Sequence, residues 1–234
     1  MKLAISTMTN NQSSRLYEWI DYHNKIGFNK FIIYLDNCTD DSFTVLNNIK
    51  NIDIDIYKTE NIDENYKDPD WISRSHRMYN HTLLNYNNYD WVGFIEVDEF
   101  LFPQSNLSLI GFLNFLNSDC LYINSWDFKG PFDLNLPILG QSNLIWTNEQ
   151  RFNSEYRFRG KSIIRPNRLK YCVDAHHFAY NDNVVSNEFK INRDNFIQIH
   201  YGNQVTIDDS KFKIYHFRNH TPSNMNNYEE IIYL

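Results

Sequence analysis

The first hundred residues alternate between continuous apolar runs and amphipathic stretches. Residues 3–7 form an apolar run that predicts a buried strand. After a polar loop, apolar residues recur at three- and four-residue spacing, which predicts a helix that ends near Gly27. The partly β-branched run at 31–35 then predicts a second strand, buried on both faces of a parallel sheet. The chain therefore opens as strand, helix, strand.

This alternation continues through a further amphipathic stretch at 40–49 and a period-two strand at 52–57. A helix is predicted over 71–86, and residues 90–95 predict another buried strand. The pattern is typical of a doubly wound α/β unit with a mostly parallel sheet flanked by helices. In such sheets, ligands bind outside the carboxyl ends of the strands.

The remainder of the chain has weaker periodicity. A helix is predicted over 107–116, a strand over 120–126 and a loop over 131–140. Residues 150–220 are predicted to form short strands and loops. With 234 residues in total, the chain suits one domain with a core of ordinary size.

Composition excludes several classes of function. The net charge is −7, so the surface does not attract nucleic acid or anionic lipid, and we expect no nucleic-acid partner. Apolar runs are far shorter than the roughly 20 residues of a membrane-spanning helix. The three cysteines have no metal-ligand spacing, and neither a glycine-rich dinucleotide motif nor a Walker A motif occurs. A cytoplasmic location without a membrane span is the expectation.

Two acidic residues follow the strand predicted at 90–95. Glu96 and Asp98 are two positions apart, so on a continuing strand their carboxylates would face the same side. Two carboxylates suit Mg²⁺ or Mn²⁺, which keeps coordination sites open for the oxygens of a diphosphate. The alternative is a pair of solvated loop residues, which is common at strand ends.

Five segments occur in an order that resembles a known family. They are E-W-I-D-Y-H at 18–23 followed by I-G-F at 26–28, F-I-I-Y-L-D-N-C-T-D-D at 31–41, D-W at 90–91 leading to V-D-E-F at 97–100, K-S-I-I-R-P at 161–166, and Y-H-F-R at 215–218. Together they resemble the GT-A glycosyltransferases of family 92 and the related group within the glycosyltransferase 2 superfamily.

The resemblance implies a nucleotide-sugar donor, with UDP as the usual nucleotide, and a divalent metal, Mn²⁺ or Mg²⁺. It implies that the metal is bound by Glu96, Asp98 and His216, and that the donor contacts Thr7, Asp36, Arg77, Glu96, Lys161 and Arg165. Glu96 stands where the family usually has Asp, so contact with a ribose hydroxyl is an alternative to metal ligation. His216 could instead be a core histidine, and Arg165 a structural residue at a strand end.

The acceptor implied by the resemblance is a glycan or another hydroxyl compound. Within a single GT-A domain at 1–234, residues 1–100 would bind the nucleotide-sugar and residues 101–234 would form the acceptor side. An inverting enzyme needs a general base, for which Asp127 is the first candidate and Asp133 and Glu149 are rivals. The sequence does not distinguish inversion from retention.

Two other functions compete with a metal-dependent glycosyltransferase. One is a catalytically inactive GT-A-like module that binds glycans or nucleotides, although such a module does not need Glu96, Asp98 and His216 together. The other is a nucleotidyltransferase, which would need a glycine-rich basic loop near the N-terminus; residues 7–14 contain neither glycine nor lysine.

Overall fold

The computed structural model describes residues 1–103, 108–130, 138–139, 160–174, 177–179, 205–208 and 211–219. The helices in these ranges are α1 (Ser13–Ile26), α2 (Ser42–Asn48), α3 (Trp71–Asn85) and α4 (Leu109–Phe115). The strands are β1 (Leu3–Thr9), β2 (Lys30–Leu35), β3 (Ile54–Lys58), β4 (Trp91–Phe94), β5 (Glu99–Pro103), β6 (Cys120–Gly130), β7 (Gly160–Ile164), β8 (Tyr171–Asp174), β9 (His177–Ala179), β10 (Val205–Asp208) and β11 (Phe212–Asn219).

One sheet contains most of these strands, in the order β3-β2-β1-β4-β7-β6-β11-β5, with β10 paired to β6. β3, β2, β1 and β4 are parallel neighbours. β7 is antiparallel to both β4 and β6, whereas β11 is parallel to β6 and antiparallel to β5. Strands from before and after residue 100 therefore share the same sheet, while β8 and β9 form a separate hairpin.

The two faces of the sheet are covered by different helices. On β1, Leu3 and Ile5 pack in one apolar cluster with α1, whereas Ala4 packs in the other cluster with α3. The strand is apolar on both faces because both are covered, as expected for a parallel sheet between two helical layers. This confirms the α/β class and the order of elements predicted for the first hundred residues.

Local signals set the helix ends that matter for the site. α1 ends at Gly27, whose φ of 122° lies in the region that favours glycine. α3 begins after Asp70, whose carboxylate accepts the backbone N–H groups of Ile72 at 3.1 Å and Ser73 at 3.2 Å. This cap fixes the first turn of α3 beside the carboxyl end of β1.

Two differences from the sequence prediction concern strands. β4 ends at Phe94, and a further strand, β5, begins at Glu99. β6 continues to Gly130, beyond the end predicted at residue 126. The formation of β5 and the extension of β6 follow from pairing with β11, more than eighty residues away in the chain. Among the described helices, none has the length and apolarity needed to cross a bilayer.

Candidate active site

A cleft of about 240 Å³ opens at the carboxyl ends of β1 and β4. These strands are parallel neighbours, so the residues that follow them meet at one edge of the sheet. The lining consists of Met8, Thr9, Asn10, Gln12, Trp71, Glu96, Val97 and Asp98. This is the edge at which open α/β sheets bind ligands.

A tight acidic turn forms one wall of the cleft. Glu96 and Asp98 lie in this turn rather than on a strand, because β4 has already ended, so the period-two argument does not apply to them. The Glu99 N–H donates to the Glu96 carbonyl at 3.0 Å, and the Glu96 N–H donates to Glu99 Oε2 at 3.0 Å. These reciprocal bonds bring Glu99, a residue absent from the sequence-based site, into the acidic turn.

His216 reaches the same turn from the late part of the chain. It lies on β11, directly opposite Glu99 of β5 in the antiparallel register. Its Nε2 is 3.3 Å from Asp98 Oδ2, and its Nδ1 is 3.7 Å from Glu99 Oε1. The backbone N–H of Phe217 also donates to the Asp98 carbonyl at 2.8 Å. The structure thus brings together the three residues that the sequence assigned to a metal.

The donor atoms in this group suit a divalent cation. Glu96, Glu99 and His216 each offer a ligand atom, and these atoms lie within 4.8 Å of one another. Carboxylate oxygens and an imidazole nitrogen together suit Mn²⁺, while Mg²⁺ prefers the oxygens alone. Glu96 and Asp98 also line the cleft, so a cation held here would face its contents.

Lys161 lies beneath the acidic turn and not in the cleft. It is on β7, only 1% exposed, with Nζ 3.1 Å from Glu99 Oε2 and 3.3 Å from Glu96 Oε2. Burial lowers its pKa, but Glu96 and Glu99 more than offset this, so the pKa of Lys161 is raised and it carries a charge. Lys161 is not among the described residues that line the cleft, and its donor contact stays a prediction.

Burial and neighbouring positive charges shift the pKa values of Asp98 and Glu99 in opposite directions. Burial raises the pKa of Glu99, although Lys161 acts in the opposite direction. Burial also opposes ionisation of Asp98, but His216, Lys161 and Arg15 together lower its pKa. The lowered pKa of Asp98 favours its charged form, whereas the raised pKa of Glu99 does not.

Three of the residues predicted to contact the donor lie on β1, after β2 and on α3. Asp36 is buried, and its carboxylate accepts hydrogen bonds from Arg74 Nε at 3.1 and 3.2 Å and from Arg74 Nη2 at 2.9 Å. Arg77, one turn further along α3, pairs with Asp63 and Asp68. Arg74, rather than Arg77, is thus the arginine on Asp36. Thr7 is fully buried within β1, one position before the first residue of that strand to line the cleft.

Arg165 lies far from the acidic turn. β7 is antiparallel to β4, so Lys161 is near the carboxyl end of β4 while Arg165 is near its start, about 13 Å away along the strand. Its guanidinium lies 4.3 Å from the centre of the Trp91 ring and donates to the carbonyls of Leu116 and Ser118. These contacts agree with the structural alternative for Arg165.

Of the predicted general base, Asp127, the structure describes the backbone alone. The backbone of Asp127 lies in β6, beside His216 in the parallel register with β11. Its side chain, and the rival candidates Asp133 and Glu149, lie outside the described residues.

Two residues of this region, Glu99 and Arg74, were not predicted from the sequence. Glu99 belongs to the V-D-E-F segment, and its three-residue spacing from Glu96 is a turn spacing that could have drawn attention to it. Arg74 lies one helical turn before Arg77 on a correctly predicted helix, but no local pattern indicates which of the two reaches Asp36.

The family model described as Glycosyltransferase family 92 matches residues 3–232. A family 92 protein of Arabidopsis thaliana is 30% identical over 193 residues, covering 78% of this chain and 32% of the relative. A family 92 protein of Ricinus communis is 27% identical over 190 residues, covering 77% of this chain and 32% of the relative. The chain thus spans about a third of the length of these curated relatives.

Among solved structures, the crystal structure of S. aureus TarS 1–349 in complex with UDP is similar to this chain. The TM-score is 0.54 at 14% identity, and the match covers 93% of this chain and 61% of that one. This likeness concerns the fold, which is GT-A. The family match extends over nearly the whole sequence, including every segment that contributes to the acidic turn. The chain therefore belongs to glycosyltransferase family 92.

Proposed function

We propose that this chain is the catalytic domain of a metal-dependent glycosyltransferase that moves a sugar from a nucleoside diphosphate to a hydroxyl acceptor. The observation that carries the proposal is the meeting of His216 with Glu96, Asp98 and Glu99 at the wall of the cleft. Family membership supports the reaction class. The proposed donor is a UDP-sugar, in keeping with the UDP in the S. aureus TarS structure.

The reaction exchanges one bond at the anomeric carbon. The acceptor oxygen bonds to that carbon, the bond to the phosphate oxygen breaks, and the electron pair leaves with the nucleoside diphosphate. A bound Mn²⁺ or Mg²⁺ stabilises the negative charge on the diphosphate. Glu96 and Asp98 face the cleft and would hold that cation together with His216 or Glu99.

The acceptor's proton must also be removed. For an inverting transferase we propose Asp127 as the base, because its backbone lies next to His216 in the sheet. Asp36, which follows β2, and Arg74 of α3 are proposed to contact the base or ribose of the donor. A glycan is the proposed acceptor class.

Thermal unfolding of the wild type and Asp98→Asn tests the proposal. Each protein is heated with UDP, GDP, dTDP and UDP-sugars, with and without Mn²⁺. A ligand at about 100 times its dissociation constant stabilises a native protein by about 2.7 kcal/mol, roughly 5–10 °C for a chain of this size. We expect this shift in the wild type only when both UDP and Mn²⁺ are present.

Asp98→Asn should lose the shift, because one ligand of the cation is weakened. The matched control is Asp21→Asn, a carboxylate on the exposed side of α1 that pairs only with Lys25 among the described residues, and it should keep the full shift. No shift with any nucleotide would contradict the donor site. Binding without release of UDP in the presence of glycan acceptors would instead indicate a non-catalytic binding module.

A further inference from the structure

The buried ammonium group of Lys161, beneath the acidic turn, has no role in the reaction as proposed so far. Lys161 and Glu99 are each 1% exposed, and the lysine nitrogen lies within 3.3 Å of oxygens from both Glu96 and Glu99. A buried ion costs several kcal/mol to remove from water. A lysine in this place therefore depends on the carboxylates around it, and they depend on the lysine.

The pairing of β7 with its neighbours fixes the position of Lys161. β7 lies between β4 and β6, and Lys161 pairs in register with Ile123 of β6. The next residue, Ser162, pairs with Phe94, the last residue of β4. Because both neighbouring strands hold this part of β7, Lys161 contacts the carboxylates of Glu96 and Glu99 before any ligand binds.

The turn concentrates negative charge. Three carboxylates, those of Glu96, Asp98 and Glu99, occur within four residues, and such groups repel one another when brought together. Among the lysines and arginines of the described residues, Lys161 is the one with its nitrogen in salt-bridge contact with these carboxylates. Arg15 acts on Asp98 at longer range.

We propose that Lys161 is a positioning residue of the metal centre, a permanent internal counter-ion to Glu96 and Glu99 that weakens the binding of a divalent cation in the absence of nucleotide. Its charge cancels part of the attraction between the turn and the cation. The diphosphate of the donor then supplies the missing negative charge, so cation and donor bind together. This inference rests on the proposed metal-dependent function.

Mn²⁺ affinity measured without nucleotide tests the inference. Metal-free protein is titrated with Mn²⁺ and followed by electron paramagnetic resonance. Lys161→Met should bind Mn²⁺ at least tenfold more tightly than the wild type, because one positive charge close to the ligands is gone. Lys161→Arg keeps the charge and should stay within about threefold of the wild type.

The matched control is Lys30→Met. Lys30 is also a buried lysine of this sheet with two carboxylate partners, Asp53 and Asp55, but it lies at the start of β2, at the opposite end from the cleft. Its replacement should leave the Mn²⁺ affinity unchanged. A loss of stability common to both variants is thereby separated from an effect on the metal.

A second pair of variants covers the case in which Lys161→Met fails to fold. Glu99→Gln is compared with Glu99→Gln/Lys161→Met, in which no buried charge of this pair is left unpaired. Adding Lys161→Met to Glu99→Gln should again tighten Mn²⁺ binding at least tenfold. Equal or weaker binding in the folded variants that lack Lys161 overturns the inference.

The inference and the proposed function fail in different ways. If the wild type shows a thermal shift with UDP and Mn²⁺ but removal of Lys161 does not tighten Mn²⁺ binding, only the counter-ion role is wrong. If the wild type and every variant fail to bind Mn²⁺ with or without UDP, the metal-dependent function and the inference are both wrong.

Discussion

Asp36 is a buried carboxylate at the end of β2 whose charge is balanced by Arg74. The carboxylate is 1% exposed and the arginine 13%, and the two side chains share several hydrogen bonds between 2.9 and 3.2 Å. Thr59 adds a bond from its hydroxyl at 3.2 Å. The pair is therefore largely shielded from solvent, where removing one partner is more costly than removing both.

Arg74→Met should reduce the free energy of unfolding by about 3–5 kcal/mol, because the charge of Asp36 is left buried without compensation. The double variant Arg74→Met/Asp36→Asn should lose less than the single one. Urea unfolding of the two variants and their parent measures both values. The exposed pair of Lys25 and Asp21 is the control, since Lys25→Met should leave the free energy of unfolding close to that of the parent.

α1 holds β5, and thereby Glu99, through three side chains of the E-W-I-D-Y-H segment. The Trp19 indole N–H donates to the Glu99 carbonyl at 3.0 Å, and the Tyr22 hydroxyl donates to the Leu101 carbonyl at 2.9 Å. His23 Nδ1 donates to the Trp19 carbonyl at 2.8 Å, and its Nε2 accepts the Leu101 N–H at 3.4 Å. The E-W-I-D-Y-H segment thus binds the backbone of β5 and thereby holds Glu99 in the acidic turn.

His23 makes stability depend on pH. Burial lowers the pKa of His23 to about 3, well under the usual value of about 6.5 in an unfolded chain. Between these values the unfolded state binds a proton that the native state excludes, so stability falls as the pH falls from about 6.5 to about 3. The slope from this group is up to about 1.4 kcal/mol per pH unit.

We expect His23→Gln to be less stable than the wild type at pH 7 and to show a shallower loss of stability on acidification. The difference between their free energies of unfolding should narrow as the pH falls from 6.5 to 4.5. Urea unfolding at intervals of half a pH unit measures it. Parallel curves over this range would contradict a buried neutral His23.

The two halves of the molecule are joined by the sheet and by a polar contact from α1. The Glu18 carboxylate accepts the backbone N–H groups of Ile138 at 2.6 Å and Leu139 at 2.8 Å. These residues come from the part of the chain expected to face the acceptor. Both hydrogen bonds are partly buried, and hydrogen bonds to charged groups contribute about 1.5–3 kcal/mol to stability.

Glu18→Ala should therefore expose the amides of 138 and 139 to faster hydrogen exchange and reduce the free energy of unfolding by about 1.5–3 kcal/mol. The thermal shift with UDP and Mn²⁺ should persist, because Glu18 is not among the residues that line the cleft. Asp21→Ala, one turn away on the exposed side of α1, should leave exchange at 138 and 139 unchanged. Unaltered exchange in Glu18→Ala would show that the contact does not order this segment.

The local order of elements in the first hundred residues follows from the sequence. Apolar residues recur every two positions on strands and every three or four on helices, and these periods depend only on backbone geometry. The short, partly β-branched apolar run at 31–35 therefore indicates a strand buried on both faces, and the three- and four-residue spacing indicates that α1 turns one face to the sheet. The five family segments likewise indicate the GT-A fold, because their order along the chain is a property of the sequence.

The composition of the site was decided by tertiary structure. Glu99 joins Glu96 because β4 ends at Phe94 and the chain turns, and His216 meets them because β11 pairs with β5. The antiparallel register of β7 separates Lys161 from Arg165, putting one beneath the turn and the other at the far end of β4. Which charges meet depends on pairing between strands that are far apart in the chain, and local periodicity carries no information about such pairing.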